Sequence, residues 1–167
     1  MPDNLFQHQY RIPSARANWH GYDGGEYFVT ICTQNREHYF GEIVKNNNDE
    51  PEMALTSIGR FAEEQIRNVT CHYSYAEFPL WVVMPNHVHL LLQIHSDPDG
   101  HPIAAPTVSQ MVNQFKGTVS KKIGFSPWQK GFYDHVIRGE TDYREIWKYI
   151  EENPLKWSED QLYNGSM

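Results

Sequence analysis

The stretch Trp81 to Ile94, WVVMPNHVHLLLQI, limits the fold of this chain more than any other part of it. Two strongly apolar runs are joined by Pro85-Asn86, a pair that favours a turn. The runs therefore read as two antiparallel strands. Side chains along a strand alternate between its faces, so Val88, Leu90, Leu92 and Ile94 share one face, an unbroken core surface. His87, His89, Leu91 and Gln93 share the other, where the two imidazoles stand side by side.

The remaining segments extend this pair into a layered domain. EYFVTICTQ (26–34) is aromatic and β-branched and reads as a strand. LTSIGRFAEEQIRNV places Leu55, Ile58, Ala62, Ile66 and Val69 at helical spacing. A second helix begins at Thr107, whose hydroxyl is suited to cap it with Gln110 in the capping-box position; its apolar stripe is Val108, Met111, Val112, Phe115 and Val119. GFYDHVIRG reads as a fourth strand, and TDYREIWKYIEEN as a last helix that stops at Pro154. KNNNDEPE (45–52) and HSDPDGHPIAAP (95–106) read as loops. Strands paired in hairpins with helices against them make an α+β sandwich. The first six elements match the ferredoxin-like βαββαβ pattern, with one further helix at the C-terminal end. Residues 1–167 read as a single domain, with 1–20 and 158–167 peripheral or flexible.

Composition narrows the class. A chain of 167 residues with 40% hydrophobic content supports a core without staples. Cys32 and Cys71 form no C-x-x-C pair, which argues against a zinc knuckle or a disulfide framework. No signal-peptide core or membrane-length apolar run is present, so a soluble, cytoplasmic protein is expected, with no membrane partner. The net charge of −7 argues against a nucleic-acid partner by itself. Its distribution is uneven, however. Between Gln114 and Arg138, Lys116, Lys121, Lys122, Lys130 and Arg138 face only Asp134. A locally basic face and an ordinary solvated helix face fit this charge pattern equally.

Two imidazoles at i and i+2 lie near enough to bind one divalent ion, and a carboxamide or carboxylate oxygen often completes such a set. Histidines on a solvated sheet face with no role are the competing reading. The last helix holds a further pair. Tyr149 and Asn153 are four residues apart, about 40° around the helix axis. Taken singly, Tyr149 reads as a half-buried aromatic and Asn153 as a C-terminal helix residue.

WVVMPNHVHLLLQ, together with WQKGFYDHVIRGETDYREIWKYIEENPLKW and the N-terminal YFVTICTQNREHYFG, resembles the single-tyrosine transposases of the HUH superfamily, and among them the REP-associated tyrosine transposases. The resemblance runs from about Gly21 to Trp157. It implies a ferredoxin-like fold whose last helix carries the nucleophile, here Tyr149. It implies His87 and His89 as metal ligands, with Asn153 as the third; because Asn153 precedes Pro154, which disfavours the helical conformation, the neighbouring Glu152 is its alternative. Mg²⁺ or Mn²⁺ is the implied cofactor, and single-stranded, hairpin-forming DNA the implied substrate. The implied reaction is cleavage and rejoining through a 5′-phosphotyrosine, by a monomer or a homodimer. A domesticated relative that holds a DNA or RNA hairpin without cutting it is the alternative.

Under this resemblance the basic stretch gains a role. Lys116, Lys121, Lys122, Lys130 and Arg138 are placed to follow a DNA backbone, and Trp128 to stack on an unpaired base. The competing reading makes the lysines solvated helix residues and Trp128 a lid on the core.

Overall fold

The structure is a computed structural model that describes residues 25–68, 73, 76–95, 107–160, 162 and 163. Its elements in chain order are β1 (Gly25–Cys32), β2 (Gly41–Lys45), β3 (Pro51–Leu55), α1 (Ser57–Arg67), β4 (Ala76–Met84), β5 (His87–Ile94), α2 (Thr107–Ile123), β6 (Tyr133–Val136) and α3 (Glu140–Glu152).

Four strands form one antiparallel sheet in the order β4-β5-β1-β6. β5 turns back from β4 at Pro85-Asn86, as the apolar runs require, and lies beside β1 with Cys32 opposite His87 and Thr30 opposite His89. Period-2 alternation then divides the sheet into two faces. Tyr27, Val29, Ile31, Val88, Leu90, Leu92 and Ile94 face one core with Ala62 and Ile66 of α1 and Val108, Met111, Val112 and Val119 of α2. Phe28 and Leu91 face the other, against Ile146 and Ile150 of α3. Each fully buried isoleucine there contributes about 1.5–3 kcal/mol of apolar burial. These contacts hold α3 over the histidine face of the sheet.

Local chemistry sets the helix ends. The Thr56 side chain accepts a hydrogen bond from the Gly59 amide at 3.1 Å and starts α1. Gly59 also lets α1 approach the chain ahead of it, since a Cβ there would lie 2.2 Å from the Phe40 carbonyl oxygen. The first turn of α3 carries Asp142, whose carboxylate accepts from the Arg138 amide at 3.1 Å and lies 2.7 Å from Nε2 of His135. α2 begins at Thr107 as expected; the cap assigned to the Thr107 hydroxyl lies outside the described residues, as do Val69 and 96–106 of the second loop.

Two expectations change. The segment 45–52 is not a loop throughout: Lys45 pairs with Pro51 and Val44 with Glu52, closing a β2–β3 hairpin outside the main sheet. Its turn is built by the Asn46 side chain, which accepts from the amides of Asn48 at 2.8 Å and Glu50 at 3.1 Å. Short flanks of mixed polarity conceal such a hairpin, because its strands bury little. The segment from 158 onward is also not wholly peripheral, although Ser158, Glu159 and Tyr163 are exposed. Asp160 and Leu162 are buried, and Trp157 ahead of them packs inward.

Candidate active site

β5 delivers His87 and His89 to the same sheet face, with ring centroids 4.5 Å apart. The alternation expected from HVHLLLQI places them so. Both are buried, at 0% and 1% exposure, but in polar surroundings. Nδ1 of His89 lies 2.8 Å from the Thr30 hydroxyl, directly across on β1. Nδ1 of His87 lies 2.7 Å from Oδ1 of the adjacent Asn86.

α3 brings the second pair. Tyr149 packs over His89, with centroids 5.3 Å apart, and over Phe28 at 5.9 Å. Asn153 caps the helix with φ −56° and ψ −45°, still helical although Pro154 follows and disfavours that conformation. Side-chain bonds hold it there. Its Nδ2 donates to Oδ2 of Asp160 at 2.8 Å, and its Oδ1 stands 3.2 Å from Nε2 of His87. The Tyr149 hydroxyl donates to the same Asp160 oxygen at 3.1 Å.

Asp160 is the residue that the sequence reading missed. It lies eleven residues beyond Tyr149, and its other oxygen accepts from the Leu162 amide at 2.7 Å. The Leu162 carbonyl in turn accepts from Nδ2 of Asn86 at 2.7 Å. The chain after α3 therefore folds back over the histidines and is tied to the β4–β5 turn. No periodicity or spacing in LKWSEDQLYNGSM marks Asp160 for this place. Asn86, in the quoted MPNHVH stretch, was visible but was read only as a turn residue.

The donor set fits a divalent cation. One ring nitrogen from each histidine and an oxygen of Asp160 lie within 4.8 Å of one another. The two amide groups are fixed by their other bonds, so both present oxygen to His87. A neutral imidazole has one proton, and the shorter contact assigns it to Nδ1, toward Asn86. Nε2 then turns its lone pair toward the lone pairs of Asn153 Oδ1, an arrangement that a cation between them relieves. Among the described residues, buried Nε2 of His89 finds no hydrogen-bond partner, which costs about 1–3 kcal/mol when nothing binds it. Burial holds His87 below its ordinary pKa, partly opposed by Asp160 and by the Asn153 bond, with a smaller lowering from Arg36. Burial, and then the proximity of His87, hold His89 well below its own. Both imidazoles are thus kept neutral, the form that ligates metal.

The other expected site residues divide. Glu152 turns outward and pairs with Lys156 at 2.8 Å, so it is corrected as an alternative ligand; the position one residue later aims inward. Trp128 is 5% exposed, wedged between Phe40 and Phe115, and donates its indole N–H to the Lys116 carbonyl at 3.0 Å. It presents no open face to a base, because packing between Phe40 and Phe115 buries it. Lys116 is half-buried, and its ammonium donates to the carbonyls of Gln129 at 2.9 Å and Gly131 at 2.8 Å. It secures the 124–132 loop and does not belong to an open basic row. Lys121, Lys122, Lys130 and Arg138 are exposed. The first two lie on the α1–α2 side of the sheet and Arg138 precedes α3, so the five cations do not form one face around the histidines.

The sheet, its three helices and the polar cluster beneath α3 define a mixed α/β protein similar to a transposase fold. A solved structure of a REP-associated tyrosine transposase bound to a REP hairpin superposes with a TM-score of 0.61 and 25% identity, covering 81% of this chain and 70% of that one. The chain is similar to the REP-associated tyrosine transposases. An Escherichia coli REP-associated tyrosine transposase is 32% identical over 80 residues, 48% of this chain and 45% of that protein. A Haemophilus influenzae protein whose name provisionally places it in the same group is 27% identical over 142 residues, 80% of this chain and 72% of its own. An uncharacterized protein of the same organism is 30% identical over 158 residues, 83% of this chain and 85% of its own. No family model matches the chain. Among the described residues, no helix is long and apolar enough to cross a membrane.

Proposed function

We propose that this chain is a single-tyrosine DNA strand transferase of the HUH kind, acting on single-stranded, hairpin-forming DNA. Tyr149 is the nucleophile, and His87, His89 and Asn153, joined by Asp160, hold Mg²⁺ or Mn²⁺. The observation that carries the reading is that the Tyr149 hydroxyl and the Asn153 amide meet on one Asp160 oxygen beside the paired imidazoles. The REP hairpin bound by the solved relative supports the substrate class. The strand order β4-β5-β1-β6, with α1 and α2 on one face, supports a ferredoxin-like core to which α3 adds the nucleophile.

A DNA phosphodiester resists attack because its charge repels nucleophiles. A bound divalent ion polarises a non-bridging oxygen and offsets the charge that develops. The chain supplies the rest. Thr30 and Asn86 fix the two imidazoles by their Nδ1 atoms, leaving Nε2 of each turned into the site. The Tyr149 oxygen forms a bond to phosphorus as the phosphorus–O3′ bond breaks, giving a 5′-phosphotyrosine and a free 3′ end. Its phenolic proton passes to Asp160, already its hydrogen-bond acceptor, and the departing oxygen takes a proton from solvent. The phosphotyrosine keeps the energy of the broken bond, so a second 3′-OH reseals the strand. His87 lies under Trp157, at a centroid distance of 5.9 Å, so a phosphate reaches the histidines only when the Trp157 side chain swings aside while Asp160 stays in place. Lys121, Lys122, Lys130 and Arg138 are the exposed cations available for the DNA backbone.

The test is incubation with labelled hairpin DNA and Mn²⁺, followed by denaturing electrophoresis. A protein–DNA adduct is expected from the wild type and from Tyr143→Phe, and none from Tyr149→Phe. Cutting without any adduct would make the protein a hydrolytic nuclease. Hairpin binding with neither cutting nor adduct would leave a binding protein.

A further inference from the structure

We infer that Phe125 is a stacking platform for an unpaired base of the DNA strand that runs to or from the site. The inference rests on the strand-transferase reading and adds a contact that the reading does not contain. α2 stops at Gly124, which takes a φ of +90° while its amide still bonds to the Ser120 carbonyl at 2.9 Å. That left-handed residue turns the chain outward, and Phe125 follows at 46% exposure. A single exposed phenylalanine is ordinary on a protein surface. This one differs in three respects.

The ring is braced. Tyr39 lies against it, with centroids 5.5 Å apart at 59°, so one aromatic backs the other. The loop that carries it is also fixed: Gln34 donates its amide to the Pro127 carbonyl at 2.7 Å, and Gln129 to the Cys32 carbonyl at 2.9 Å. A preorganised ring loses little conformational freedom when a base stacks on it.

Two cations precede the ring in the chain. Lys121 and Lys122, four and three residues before it, are exposed in the last turn of α2, and Nζ of Lys122 lies 5.6 Å from the Phe61 ring centroid. A helix end that offers two exposed lysines and then an exposed ring suits the phosphates and an unpaired base of one strand, whatever the base.

The ring is linked to the site through intervening aromatic residues. Tyr39 follows His38, whose ring lies 6.0 Å from Trp157, and Trp157 lies 5.9 Å from His87. The 37–40 segment thus has one aromatic toward the histidines and the next toward Phe125.

The experiment measures fluorescence anisotropy with a labelled oligo-dT strand of about 20 nucleotides, and with a blunt duplex. Phe125→Ala and Phe125→Leu should weaken oligo-dT binding about 5- to 150-fold and leave duplex binding unchanged. Phe125→Trp, which restores a ring, should bind oligo-dT as the wild type does. Unchanged oligo-dT affinity in Phe125→Ala, with a normal Tyr149 adduct on hairpin DNA, overturns the platform alone. A wild-type protein that binds neither DNA and forms no adduct overturns the transferase reading and the platform with it.

Discussion

The amide oxygen of Asn153 stands 3.2 Å from Nε2 of His87, and both atoms are acceptors when the imidazole proton sits on Nδ1 and is donated in a hydrogen bond to Asn86. A positive charge between or beside its members would relieve this contact. Asp160 and the unpartnered Nε2 of His89 complete the same demand.

Divalent metal should therefore stabilise the folded protein. At a free Mn²⁺ concentration about 100 times its Kd, linkage contributes about 2.7 kcal/mol, or a rise of about 5–10 °C in Tm for a chain of this size. Chelation should reverse the rise, and His87→Ala or His89→Ala should abolish it. A melting temperature indifferent to Mn²⁺ in the wild type would remove the metal site.

Glu152 and Asp160, eight residues apart, should behave in opposite ways. Glu152→Gln breaks a surface pair with Lys156 and should leave Mn²⁺ affinity by calorimetry unchanged. Asp160→Asn removes a negative charge from the donor set and should weaken Mn²⁺ about 10- to 100-fold. The reverse pattern would return Glu152 to the ligand set.

The metal-free protein should also be acid-sensitive. Burial holds the folded-state pKa values of His87 and His89 below the ordinary value of 6.5. As pH falls below 6.5, the unfolded chain takes up protons that the folded chain resists. The stability contribution is thus fully present above about 6.5 and is lost progressively beneath it. Thermal melts between about pH 7.5 and pH 5 should show the decline, and His87→Gln/His89→Gln should flatten it. An equal decline in that double variant would place the acid sensitivity in other groups.

Salt dependence should single out the end of α2. If Lys121 and Lys122 each contact a phosphate, each alanine replacement should reduce the slope of log K against log salt by about 0.7. Lys116→Ala should act differently, through stability, because its ammonium holds two loop carbonyls. A double Lys121→Ala/Lys122→Ala variant with an unchanged slope would locate the DNA backbone elsewhere.

What could be read in the sequence was what depends on near neighbours along the chain. The alternation in HVHLLLQI put both imidazoles on one face because successive side chains of a strand must diverge. The four-residue spacing of Tyr149 and Asn153 likewise follows from helix geometry. Tertiary structure decided the rest. Trp128 became a core wedge because it packs between Phe40, just ahead of β2, and Phe115 of α2. Asp160 entered the site because Asn86, 76 residues before Leu162, holds the returning chain by its carbonyl. His87 and Asn153 meet across 66 residues. Contacts over such separations leave no local pattern, since a buried carboxylate and an exposed one look the same in sequence until the folded chain places its partners.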